Sequence, residues 1–200
     1  MRVPVREVAY RGGALVDGAE RGGEELPICI DAARFSAKPD GAQTAQISKR
    51  ITSCGFMATA CEIAKSVSEG ATILPGIFDG NRDNDHWTGQ RVFLVDVDND
   101  REQAKHGYRT LGEWEAVYRA YAYGLPIFMS YQTFGGSAMD ADPATQRFRL
   151  AFVAPSVLES KERAEAFAAG VLAAYPEADQ SSGELARMFY GTDKEVSVWS

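Results

Sequence analysis

The sequence predicts a fold of the α/β (α+β) class, in which helices pack against a sheet in two layers. Predicted helices and strands alternate along residues 56–175, which is the pattern of such sheet domains. A length of 200 residues suits one domain, or one domain with a small appended lobe. With 45% hydrophobic and 24% charged residues, the chain has enough apolar side chains for a packed core, which excludes a disordered or fibrous protein.

The first predicted elements are one helix and two strands. Apolar residues recur at helical spacing over Phe56–Glu69, and Gly70 supplies a stop. Residues 71–78 form a short apolar run that is typical of a strand. Residues 91–98 form a second and more hydrophobic run, which predicts a buried strand.

The later elements repeat this alternation. A threonine cap with a glutamate three residues on predicts a helix over Thr110–Tyr123. Strands are expected at 125–133 and 147–154, because apolar and β-branched or aromatic residues dominate both. The Ala- and Glu-rich stretch Val157–Tyr175 predicts a helix that ends before a proline, and residues 186–200 return as a strand.

Several classes of protein are excluded by composition. No apolar run approaches the ~20 residues of a membrane-spanning helix, and the N-terminus has no apolar signal region. The chain has three cysteines: Cys29, Cys54 and Cys61. Because their number is odd and they lack CxxC spacing, we expect reduced thiols and a cytoplasmic protein. The net charge of −7 argues against bulk attraction to nucleic acid, so any such binding needs a local basic patch.

Asp96 and Asp98 are the most informative pair in the sequence. They end the strand 91–98, and the two-residue period of a strand directs both to the same face. Two carboxylates held so close repel each other, and a divalent cation such as Mg²⁺ or Mn²⁺ is the natural counter-charge. An Asp-rich turn after a strand also arises for purely structural reasons, so both interpretations stay open.

Two further charged groups are candidates for a site. Arg147 and Arg149 share one face of the strand 147–154, and arginine suits bidentate phosphate contact, although a salt-bridged sheet face is the alternative. Asp179 follows a predicted helix within YPEAD. A turn or cap residue is the simpler interpretation of Asp179.

The order of these segments resembles the archaeo-eukaryotic primase (primase-polymerase) superfamily, in its small phage and mobile-element type. The chain has a hydrophobic strand ending in DxDN, then YxTF with a Gly/Ser turn, then RFRLAF, YPEADQS and RMFYGT. The resemblance begins near Ser48 and extends to Thr192. It therefore divides the chain into an N-terminal extension, 1–47, and a primase-polymerase-like catalytic domain, 48–200.

The resemblance implies a catalytic core with an RRM-like sheet packed by helices. Asp96 and Asp98 match the first motif of the family and Asp179 the third, and together they would ligate the catalytic Mg²⁺ or Mn²⁺. Arg147 and Arg149 match basic residues that face the nucleotide phosphates.

The second motif of the family departs from the usual pattern. Gly136 and Ser137, with Gly135, stand where a Ser-x-His is normal and would contact the nucleotide. The histidines of the chain are His86 and His106, and His86 precedes the metal-bearing strand. Three aromatic residues are candidates for base stacking, with core packing as the alternative: Phe134, Phe148 and Tyr190.

The implied function is a nucleotidyltransferase, a DNA primase or primase-polymerase. It would make or extend nucleic-acid primers on a DNA template by two-metal catalysis, in replication of a phage or mobile element. Its partners would be nucleoside triphosphates and a single-stranded or primed DNA template, with a replicative helicase as a further candidate and no membrane.

Two alternatives remain. One is a catalytically weak replication-initiation or nucleic-acid-binding module on the same scaffold, which the missing motif-two histidine motivates. The other is a haloacid dehalogenase-type phosphatase, which also uses a strand ending in DxD, with its first Asp as nucleophile. The phosphatase motif is expected near the N-terminus and is followed by Thr or Val, whereas here Asn99 follows in mid-chain.

Overall fold

The computed structural model describes residues 4–19, 23–99, 107 and 109–200. Its largest element is a seven-stranded sheet in the order β2-β1-β10-β8-β9-β7-β6, in which every neighbouring pair is antiparallel. These strands are β1 (Arg6–Arg11), β2 (Ala14–Gly18), β6 (Gly76–Phe78), β7 (Trp87–Asp98), β8 (Ile127–Gln132), β9 (Arg147–Leu158) and β10 (Val196–Trp199).

A second, three-stranded sheet and four α-helices complete the described part of the chain. The small sheet has the order β4-β3-β5, with β3 (Glu25–Arg34), β4 (Gly55–Thr59) and β5 (Ala71–Leu74). The helices are α1 (Gly41–Arg50), α2 (Ala60–Ser68), α3 (Glu113–Ala122) and α4 (Lys161–Ala173). The fold is therefore mixed α+β, which confirms the predicted class.

The alternation of side chains along β7 separates two cores. Val92 and Leu94 pack with α2 and the small sheet on one face, whereas Val95 and Val97 pack with α3 and α4 on the other. Because Asp96 lies between Val95 and Val97, it points to the first face. The three strands expected to share a sheet do so, but β7 lies beside the edge strand β6, so the predicted central position of strand 91–98 is wrong.

The predicted helix 56–69 is wrong in its first part. Residues 55–59 form strand β4, which pairs with β3, and the helix begins only after Thr59. Thr59 and Glu62 form a capping box, and Gly70, at φ +90°, ends the segment as predicted. The predicted strand 71–78 is in fact two strands, which separate at Pro75 and join different sheets.

The predicted Thr110 cap is also wrong, because α3 begins at Glu113 after an N-cap at Gly112 that makes no side-chain hydrogen bond. A distant residue satisfies the helix terminus: the backbone N–H of Glu113 donates to Oε1 of Gln146 at 2.7 Å. In the same region, Asn99 accepts from the Leu111 N–H at 3.0 Å and donates to the Leu111 carbonyl. Asn99 thus attaches the end of β7 to the start of α3.

The N-terminal residues are integrated into both sheets. β1 pairs with β10 in the large sheet, and β3 is the middle strand of the small sheet. The predicted boundary between residues 47 and 48 falls inside α1. None of the helices in the described ranges has the length and hydropathy needed to traverse a lipid bilayer.

Candidate functional site

Four of the predicted site residues face one another across two paired strands. In the antiparallel register of β7 and β9, Asp96 lies opposite Arg149 and Asp98 lies opposite Arg147. Arg149 Nη2 is 3.2 Å from Asp96 Oδ2, and Arg147 Nε is 2.7 Å from Asp98 Oδ1. The four side chains thus share one face of the sheet, as period-two geometry predicts.

The pair of Asp96 and Arg149 is the buried half of this group. Their side chains are 16% and 10% exposed, against 45% for both Asp98 and Arg147. Arg149 also donates to the Tyr190 carbonyl at 2.5 Å. Burial opposes the charge on Arg149, but the adjacent Asp96 and Tyr131 outweigh it and raise the guanidinium pKa. Arg149 therefore stays charged, while its buried Nε has no partner among the described residues.

Asp179 lies beside Asp96 because residues 179–183 cover the edge of β7. The Asp179 N–H donates to the Asp96 carbonyl at 2.9 Å, and the Asp96 N–H donates to Ser182 Oγ at 3.1 Å. Since β6 pairs with β7 only as far as Gln90, these bonds satisfy backbone groups that would otherwise have no strand partner.

The side chain of Asp179 has two structural partners. Its Oδ1 caps a 3₁₀ turn by accepting from the Ser181 N–H at 2.9 Å, and its Oδ2 lies 2.9 Å from Arg187 Nη2. Burial alone would raise the pKa of Asp179, but the Ser181 hydrogen bonds and the Arg187 charge hold it below its ordinary value. Arg187 also lies 3.6 Å from Asp96 Oδ2, so it bridges the two carboxylates.

A cavity of about 150 Å³ lies over the four paired residues. Two of the aromatic candidates line it, Phe134 and Tyr190, whereas Phe148 is fully buried in the opposite core. Lys38 also lines the cavity. Lys38 was not predicted from the sequence, because only the tertiary fold brings the segment before α1 to this place. Arg187 was not predicted either, although it lies in the motif RMFYGT.

Gly136 and Ser137 do not line this cavity, whereas Gly135 does. A Cβ atom on Gly136 would lie 2.5 Å from both the Arg147 carbonyl and Gln132 Oε1, so a glycine is required for close packing of the turn on β9. Ser137 Oγ accepts from the Thr145 hydroxyl at 2.8 Å.

His86 lies outside the cavity lining and is paired with Asp83, 2.7 Å from its Nδ1. This contact with Asp83 raises the pKa of His86. The other histidine, His106, lies outside the described residues.

The side chains that line the cavity match the ligands of a divalent cation only in part. Asp96 and Asp98 offer two carboxylates on one face, which is the oxygen chemistry that Mg²⁺ and Mn²⁺ prefer. Within the described ranges, however, no three His, Cys, Asp or Glu side chains are grouped so that they could hold a metal. Asp179 in particular is held by Ser181 and Arg187. Among the described residues, Asp96 and Asp98 thus share a face of the sheet, and Asp179 is not grouped with them as a third ligand.

Comparisons with protein-family models, with curated proteins and with solved structures yield no match for this chain.

Proposed function

We propose that the cavity over the paired strands β7 and β9, called the cleft below, binds a nucleoside triphosphate with Mg²⁺ or Mn²⁺, and that the protein adds nucleotides to a primer on a DNA template. The observation that carries the proposal is the lining of a single cavity by Asp96, Asp98, Arg147 and Arg149, with the aromatic rings of Phe134 and Tyr190 at the same place. This set combines groups for a cation, for phosphates and for a base.

Each group has a distinct task in this proposal. Arg147 and Lys38 are exposed enough to turn toward a phosphate chain, and Arg149 is fixed by its bonds to the Tyr190 carbonyl and Asp96. The divalent cation, held by Asp96 and Asp98, would neutralise the triphosphate and favour deprotonation of the attacking 3′-hydroxyl. Phe134 and Tyr190 provide stacking surfaces, which are sequence-tolerant because every base has a π-face.

The test is extension of a labelled primer on a DNA template, with Mg²⁺ and Mn²⁺ supplied separately. Asp98→Asn should reduce incorporation by about 10²-fold or more, because it removes one of two cation ligands. Asp98 is half exposed, so its substitution leaves the core intact. Asp17→Asn is the matched control, since Asp17 lies in an exposed surface ion pair with Arg6 far from the cleft.

Full incorporation by Asp98→Asn would overturn the proposed metal ligand. De novo synthesis, assayed beside extension, distinguishes a primase from a polymerase that needs a primer. Parallel reactions with ribonucleotides and deoxynucleotides define the substrate.

A second candidate is a nucleic-acid-binding module without turnover. The observation in its favour is that all three predicted carboxylates are already ion-paired with arginine, which reduces their availability to a metal. Binding of primed template by the wild-type protein, with no incorporation in either Mg²⁺ or Mn²⁺, would support this module and contradict the polymerase.

A further inference from the structure

A larger cavity lies on the opposite face of the seven-stranded sheet. It measures about 420 Å³ and is bounded by the start of α3, by β8 and β10, and by the loop at residues 138–140. This volume lies within the range of small-ligand pockets, roughly 300–1,000 Å³. Gln132 points to this cavity while its neighbour Tyr131 contacts Arg149, so the two cavities are on different sides of β8.

Two buried polar atoms in the lining have no hydrogen-bond partner among the described residues. Glu113 and Ser197 are each 1% exposed. Oε2 of Glu113 accepts from the Gln132 amide at 2.6 Å. Neither Glu113 Oε1 nor the Ser197 hydroxyl makes a hydrogen bond of normal geometry within the described part of the chain, although the Ser130 side chain is near enough to Glu113 to oppose the rise in its pKa. A buried polar atom without a hydrogen-bond partner destabilises the folded protein, so these atoms favour a bound group that donates hydrogen bonds.

Trp114 forms an aromatic wall of the same cavity. The residue is 40% exposed, although its ring has an edge contact with Trp199 at a centroid distance of 5.2 Å. An exposed indole beside a buried acceptor suits a planar ring that stacks and donates a hydrogen bond at its edge.

The rim of the cavity carries cationic side chains. Arg6, Arg11 and Lys194 line it together with the acidic Glu195 and Asp140. Arg6 is held by Glu195 at 2.5 Å, but Arg11 is 62% exposed and lies 3.8 Å from Glu195. Arg11 is therefore able to reach an anionic group at the mouth of the cavity, and Lys194, 31% exposed and 3.4 Å from Asp193, is a second cation there.

We propose that this cavity is a second ligand site, which takes an amino-substituted heteroaromatic ring joined to an anionic group. That is the chemistry of a purine or cytosine nucleotide, with its base against Glu113, Ser197 and Trp114 and its phosphate at Arg11 and Lys194. The site is separate from the cleft proposed above, and its existence does not depend on polymerase activity.

The experiment is calorimetric titration of the full chain with GMP, AMP and CMP in EDTA, so that a cation-dependent cleft does not contribute. At least one of these nucleotides should bind saturably, and ribose 5-phosphate, which lacks the base, should bind at least about tenfold more weakly. Glu113→Gln and Ser197→Ala should each weaken nucleotide affinity by about tenfold. The first replaces the accepting oxygen that faces the base with a donating NH2 group, since the remaining oxygen pairs with Gln132, and the second removes a hydroxyl.

Glu115→Gln is the matched control, since Glu115 lies on the same helix but outside the cavity and pairs with Arg109 and Arg119. Thermal unfolding of each variant establishes that it is folded. Unchanged affinity in folded Glu113→Gln and Ser197→Ala, equal affinity for ribose 5-phosphate, or no saturable binding of any of the three nucleotides would each overturn the proposal.

Discussion

Arg147, Arg149 and Arg187 determine the electrostatic state of the candidate cleft. Each contacts one or two of Asp96, Asp98 and Asp179. The three positive charges balance the three negative ones, so no uncompensated charge is buried before a ligand arrives. Phosphates that attract the guanidiniums would free carboxylate oxygens for a cation, so nucleotide and metal should promote each other's binding.

Asp179→Asn should lower the free energy of unfolding at neutral pH by about 1 kcal/mol, because the ion pair with Arg187 is lost. The pKa of Asp179 is lowered, so its carboxylate stabilises the fold above its ordinary value of 3.8 and loses this effect as pH falls through the folded pKa. Urea unfolding near pH 7 and below pH 3.8 measures the difference between variant and wild type, which should shrink on acidification. A variant as stable as wild type at neutral pH would contradict this role of Asp179.

Glu113→Gln should stabilise the protein at alkaline pH relative to the wild type. Burial raises the pKa of Glu113 from 4.5 to about 7, so the unfolded chain releases its proton first and stability falls as pH rises between these values. This pKa shift lowers the free energy of unfolding of the wild type by roughly 3 kcal/mol above pH 7. Glutamine does not ionise, so the variant avoids this loss. Denaturant titrations at about pH 4 and about pH 8 provide the measurement, and identical pH profiles of the two proteins would refute the assignment.

Sequence periodicity was sufficient to predict which residues of β7 and of β9 share a face of the sheet. Asp96 with Asp98, and Arg147 with Arg149, are each two residues apart, so alternation alone places each pair on one face. Lys38 and Arg187 reach the cleft only through tertiary contacts, and no local pattern predicts such a placement. A cap is the simpler interpretation of Asp179 from the sequence, and the structure shows that this cap coexists with the position of Asp179 beside Asp96.

Among the elements, the segment between β8 and β9 is constrained by close packing at Gly136. Gly136→Ala should destabilise the protein by about 1–3 kcal/mol, because its Cβ would meet a backbone oxygen at 2.5 Å. Gly135→Ala is the control, since the nearest atom to its Cβ is the Arg147 side chain at 3.6 Å. Thermal unfolding of both variants tests this difference, and equal losses would show that the close contact does not limit stability.

The elements that were wrongly predicted share a cause. Phe56 and Met57 match a helical spacing, yet they form part of a strand in which both remain about half exposed. Pairing with β3 supplies backbone hydrogen bonds that the sequence pattern does not reveal. The signal that marks the true start of α2 is the Thr59 and Glu62 capping box. At α3 no local signal was sufficient, because its terminus depends on Gln146, 33 residues away.

For the whole molecule, the sequence predicted the class but not the contribution of the first 47 residues. Deleting residues 1–47 removes β1, β2 and β3, and with them Leu26, Ile28 and Ile30 of the core. The remaining chain should lose cooperative unfolding, because burying those three side chains contributes several kcal/mol, about 1.5–3 each. Circular dichroism and thermal melting of the 48–200 chain test this, and a cooperative transition like that of the full protein would show that residues 1–47 are dispensable.

Gln132 connects the two cavities through the hydrogen bonds of its side-chain amide. Its Oε1 accepts from the Arg147 N–H at 3.1 Å, while its Nε2 donates to Glu113. One amide group thus serves as a common anchor for the strand that carries the cleft arginines and for the floor of the opposite cavity. A redesign of either cavity through this position would alter the other, so the two cannot be exchanged as separate modules between scaffolds, and any substitution at Gln132 has to satisfy both neighbours at once.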